Sequence, residues 1–87
     1  MTVADRIEKR LAALKPESLE VVDDSPAHAG HEGAKAGGGH YRLVIVSPEF
    51  AGKTTQLRHR MVYEALGTMM RHEIHALAIK AYAPGEI

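Results

Sequence analysis

Eighty-seven residues, 45% of them hydrophobic, with eleven basic and eleven acidic side chains and no net formal charge, suit one small domain spanning 1–87 and argue against a chain disordered throughout. The charge balance argues against a protein whose main task is coating nucleic acid. The absence of cysteine excludes disulfides, thiolate metal ligands and thiol catalysis supplied by this chain. An amphipathic rather than apolar start, and no apolar run near the ~20 residues needed to span a bilayer, give the expectation of a cytoplasmic protein with no membrane association.

Thr2 followed three residues later by Asp5 reads as a capping box, and Val3, Ile7, Leu11 and Leu14 recur at helical spacing behind it. Pro16 closes this helix, because the residue before a proline is pushed out of the helical region. Leu19–Asp24 reads as a short strand with an acidic, solvated end. Composition then shifts sharply: Ser25 to Gly39 holds five of the eight glycines and no large apolar residue. The expectation is a flexible Gly/His-rich loop over 25–39, longer than a hairpin needs, carrying His28 and His31 and closed by His40.

Tyr41–Ser47 is the clearest strand in the chain, apolar on both faces in its middle and stopped by Pro48. A helix follows from about Thr54 to Leu66, with Leu57, Met61, Ala65 and Met69 expected along one side. Gly67 interrupts it, and Thr68 can cap a second short helical piece through Arg71. The last strand runs from Glu73 to Lys80, and strict alternation would set His75, Leu77 and Ile79 on one face.

The order is α-β-β-α-α-β: an α+β chain with a small mixed three-stranded sheet and helices packed on one face. A crossover of two helical pieces between the last two strands favours parallel pairing. Parallel strands begin at the same end of a sheet, so the loop histidines and His40 should gather beside His75. A histidine entering an apolar strand face is either a packed core residue or a ligand presented at the sheet edge, and spacing alone favours the packed reading.

Gly52-Lys53-Thr54 resembles the end of a phosphate-binding loop, but such a loop needs glycine where Ser47 stands, and Pro48 would stiffen it. His72-Glu73-Ile74-His75 lacks the spacing of a zinc-protease helix, and no serine is marked as activated. Nothing supports an enzyme. Arg58-His59-Arg60, with Lys53 and Arg71, forms a basic stretch that is either a solvated face or a contact for phosphates or an acidic partner. The remaining constellation is His28, His31 and His75. Imidazoles suit zinc, copper and iron, and an iron–sulfur cluster could be completed only with thiolates from a partner.

Asp24-Ser25, His28-Ala-Gly-His31, Gly39-His40-Tyr41-Arg42-Leu43-Val44-Ile45-Val46-Ser47, Phe50-Ala-Gly52-Lys53, Arg58-His59-Arg60-Met-Val-Tyr63 and Ile74-His75-Ala76-Leu77 together resemble the BolA family, in order and over nearly the whole chain. The resemblance implies a class II KH-like fold. It also implies an adaptor that is monomeric alone and pairs with a monothiol glutaredoxin as a heterodimer sharing a [2Fe–2S] cluster, in iron–sulfur trafficking or iron and redox regulation. Glutaredoxin and glutathione would bring the thiolates; this chain would bring His75 and one loop histidine, His28 or alternatively His31. Lacking cysteine, the chain resembles the histidine-loop members, and no cofactor is expected in the isolated protein. The short stretch after Pro84 departs from members with a longer final helix. His59 and the flanking arginines would belong to the partner or glutathione surface. A second role attributed to the family is DNA-binding control of stress, envelope and morphology genes. The KH mechanism uses a Gly-x-x-Gly turn; Gly67-Thr68-Met69-Met70 lacks the second glycine, which would leave contacts to Arg58, Arg60, Arg71 and Lys53.

Overall fold

The computed structural model describes residues 2–24 and 39–87. Helix α1 is Val3–Leu11, and its capping box forms as the sequence indicates: the Thr2 hydroxyl accepts from the Asp5 N–H, and the Asp5 carboxylate accepts from the Thr2 N–H. Those bonds, the Thr2 backbone N–H foremost, hold the Asp5 carboxyl below its ordinary range. The helix tightens into a 3₁₀ turn over Ala12–Leu14 and ends on Lys15 in the left-handed region at φ 52°, one residue before Pro16.

Strand β1 (Ser18–Asp23) pairs antiparallel with β2 (Gly39–Val46), and β2 pairs parallel with β3 (Ile74–Tyr82), in the order β1-β2-β3. The parallel pairing deduced from the long crossover is present. Gly39 and His40 belong to β2, so the strand begins two residues earlier than the sequence indicates. Gly39 donates to the Glu73 carbonyl at 2.9 Å and so starts the ladder with β3.

Pro48–Phe50 forms a 3₁₀ turn, and Phe50 is fully buried in the core. Helix α2 is Thr55–Leu66, with Thr54 as its cap, and a 3₁₀ turn over Gly67–Arg71 stands where the second helical piece was expected. The core gathers Ile7 and Leu11 of α1, Tyr41, Leu43 and Ile45 from one face of β2, Phe50, Val62 and Leu66 of α2, Met69, and Ile74. Each such large apolar side chain contributes about 1.5–3 kcal/mol by leaving water.

One stripe is rotated from the expected one. Leu57 is 41% exposed, and Met61 and Ala65 are only half-buried. The inward line of α2 is Arg58, Val62 and Leu66, continued by Met69. The positions i, i+4 and i+8 are occupied, but the first holds an arginine, so a hydrophobic periodicity cannot reveal it. Among the described residues, no helix is long and apolar enough to cross a membrane.

Candidate functional site

The two ends of the parallel pair β2–β3 differ in kind. At the starting end, the ladder carries an irregularity: Gly39 stands opposite Ile74, but His40 stands opposite Ala76. His75 is therefore the extra residue of a bulge, which re-aims side chains locally. Ile74 is buried, Leu77 and Ile79 are half-buried against the core, and His75 is exposed. The expected common face of His75, Leu77 and Ile79 is thus broken by the bulge. Its ring instead stands beside that of His40, with centres 5.3 Å apart and planes inclined by 31°. Strand pairing across a bulge is a long-range property, and alternation within one strand does not signal it.

Both flanks of the segment 25–38 are tied to this end. The Asp24 N–H donates to the His40 carbonyl at 2.8 Å, Gly39 is bonded to Glu73, and the Asp24 carboxylate takes two bonds from Arg42. His28 and His31 lie outside the described residues. Close by, Arg6 of α1 pairs with Glu73 at 2.5 Å. The Glu73 carboxyl is held below its usual range, first by its own backbone N–H and then by Arg6.

At the finishing end, Arg58 is bound up. Its Nε donates to the Lys53 carbonyl at 2.9 Å, and one terminal nitrogen donates to the Ala81 carbonyl at 3.1 Å and to Glu86 at 2.6 Å. The other reaches the second Glu86 oxygen at 2.9 Å. Glu86 also accepts the Ala83 N–H at 2.7 Å. The fork of Arg58 and that N–H pull the Glu86 carboxyl down to about 2, and the carboxylate in turn raises the guanidinium further above its ordinary value. With its side chain 12% exposed, Arg58 ties α2, the loop at Lys53, the end of β3 and the turn beyond it.

The remaining basic residues are dispersed. Lys53 turns its ammonium back onto the Glu49 carbonyl at 2.8 Å. Arg60 is exposed and loosely paired with Glu64 at 3.5 Å, His59 is half-buried on α2, and Arg71 is exposed on the 3₁₀ turn. That turn opens on Gly67, whose φ of 58° suits glycine, and a Cβ there would meet the Arg10 guanidinium at 3.3 Å. The parallel pairing places His40 beside His75 as the sequence indicates, although His40 is not among the candidate ligands read from the sequence.

Residues 11–86 match the family model described as BolA-like protein. The chain is 40% identical over 83 residues to the DNA-binding transcriptional regulator BolA of Escherichia coli K12, covering 94% of this chain and 76% of that protein. It is 42% identical over 89 residues to a Sinorhizobium protein described as an uncharacterized protein in the cobS 5' region, covering 99% and 96% of the two chains. The solved BolA domain of SufE1 from Arabidopsis thaliana superposes with a TM-score of 0.82 at 39% identity, over 100% of this chain and 98% of that one. Of the whole Arabidopsis SufE-like protein 1, the chain spans 24%. The small α+β architecture with its mixed sheet and the family model agree: this chain belongs to the BolA-like family.

Proposed function

We propose that the protein is an adaptor that binds a monothiol glutaredoxin and shares a [2Fe–2S] cluster with it, His75 and a histidine of the 25–38 segment acting as this chain's ligands. The observation that carries the reading is His75, exposed by a bulge at the sheet end where Asp24 and Gly39 anchor both flanks of the histidine-bearing segment. His28 stands four residues beyond Asp24, within about 14 Å of extended chain; His31 is the alternative. The donor set suits a cargo cluster held jointly: imidazoles come from this chain, and with no cysteine in it all thiolates come from glutaredoxin and glutathione. Histidine ligation of one iron raises the cluster's reduction potential.

The test is visible circular dichroism of a cluster-loaded monothiol glutaredoxin titrated with this protein. A changed spectrum that His75→Ala abolishes is expected, and comparison of His28→Ala with His31→Ala assigns the second ligand. A spectrum that stays the same on adding the wild-type protein overturns the reading.

DNA binding is a second reading, favoured by the name of the Escherichia coli relative. With the Arg58 fork bound internally, phosphate contacts would fall to Arg60, Arg71, Lys53 and His59. Binding should then weaken steeply with salt, and the slope should fall by roughly one for each contacting arginine removed. Affinity and slope unmoved by Arg60→Ala and Arg71→Ala would sink it.

A further inference from the structure

The sheet has two outer strands, and their free edges are finished differently. β3 carries a bulge at its start and the Arg58 bond to the Ala81 carbonyl at its end, two devices that keep a further strand away. β1 has neither. Its ladder with β2 runs in unbroken register from Ser18 to Asp23, with no proline, glycine or lysine inside it. From this contrast we propose that the outer edge of β1 is a docking site for an extended, basic segment of a partner protein, added antiparallel as a fourth strand.

Asp24 donates to the His40 carbonyl, and successive residues of a strand point their backbone groups to opposite sides. Val22, Glu20 and Ser18 therefore face β2. Leu19 and Val21 turn two N–H and two C=O groups outward, with no backbone partner among the described residues. Backbone pairing of this kind gives an added strand its affinity, and alternate side chains give it specificity. Leu19 and Val21 are half-buried against the core, so apolar residues set opposite them extend the covered face of the sheet.

Charge selects the occupant. No basic residue lies between Pro16 and Asp24. Glu17 and Glu20 are exposed, and neither is in an ion pair among the described residues. In an antiparallel addition Glu20 falls at a non-hydrogen-bonded position, where facing side chains approach most closely. A second copy of this edge would bring one acidic strand against another, whereas Lys or Arg opposite Glu20 and Glu17 pairs with them. The fitting segment has apolar residues opposite Val21 and Leu19, a base between them, and a second base three residues further on. The site uses neither His75 nor residues 25–38, so it stands apart from the cluster reading.

The experiment adds the peptide Ac-Thr-Val-Arg-Ile-Thr-Lys-NH₂ to the full-length chain, read by amide hydrogen exchange and by fluorescence anisotropy of the labelled peptide. In the free protein the Leu19 and Val21 amides should exchange faster than those of Glu20 and Val22, which face β2. With up to about 1 mM peptide, the Leu19 and Val21 amides should slow several-fold, while Leu77 and Ile79 on the outer edge of β3 stay unchanged. The charge-reversed peptide Ac-Thr-Val-Glu-Ile-Thr-Glu-NH₂ should bind roughly tenfold more weakly, and Glu20→Lys should narrow or invert that preference. N-methylation of the peptide's Val and Ile removes the donors aimed at the Val21 and Leu19 carbonyls and should abolish binding. That last arm uses the wild-type protein, so it stands even if the variant folds poorly. No slowing, equal affinity for the two peptides, slowing at Leu77 and Ile79 instead, or slowing that rises with protein concentration alone, as a second copy would cause, each overturns the proposal.

Discussion

The parallel strands β2 and β3 run from an end that presents side chains to an end that locks them. At the first, His40 and His75 stand exposed over a bulge. At the other, Ser47 is fully buried between β2 and the Phe50 turn, and Arg58 spends its fork on Glu86 and two carbonyls. Both ends carry polar groups, exposed at the first and largely shielded at the other. The difference teaches where to look for chemistry: an exposed imidazole such as that of His75 can be reached from outside, whereas a guanidinium already paired would first have to give up its internal partners.

That contrast can be broken, most severely at the locked end. Phe50→Ala should cost about 3–5 kcal/mol in urea unfolding, since a fully buried aromatic leaves a cavity; a loss below 1 kcal/mol would mean that the 3₁₀ turn is not part of the core. Ser47→Ala comes next, at about 1–3 kcal/mol. Its hydroxyl donates to the Leu14 carbonyl at 2.5 Å and accepts from the Glu49 N–H at 3.0 Å, so both partners are stranded.

The acid response sharpens the same end. The Glu86 carboxyl is depressed to about 2 in the folded protein, so its stabilising effect is fully present above the ordinary value of 4.5 and is lost as the pH falls through about 2. Hydrogen exchange of the Ala83 amide should therefore stay slow down to mildly acidic pH and quicken below it. In Glu86→Gln the amide should exchange faster at neutral pH, without that acid step. At the presenting end, His75→Ala should move stability by no more than about 0.5 kcal/mol, because an exposed side chain rarely matters more. A larger loss would erase the distinction between the ends.

How much of this was legible varies with the range of the interaction. The Thr2–Asp5 cap, the β2 strand and the parallel crossover follow from residues near one another or from chain length between elements, and all three are present. The inward side of α2 was misread because Arg58 occupies a core-facing position, and only its distant partners Ala81 and Glu86 make that position tolerable. His75 was assigned to the wrong face because the bulge is fixed by pairing with Gly39 and His40, 35 or so residues away in sequence. His28 and His31 lie outside the described residues.

The bond from Arg58 to Ala81 has a consequence for how this molecule meets its own copies. Successive carbonyls of a strand point to opposite sides; that of Tyr82 is taken by the Ser47 N–H, and that of Ala81 by Arg58. The last strand of the sheet would otherwise offer this carbonyl to any passing extended chain. An arginine fixed by a carboxylate stands in that place, so strand addition at this end would have to displace an ionic clamp before its first backbone bond could form. The fold's outer edge is guarded by a side chain that the sequence alone would assign to a partner.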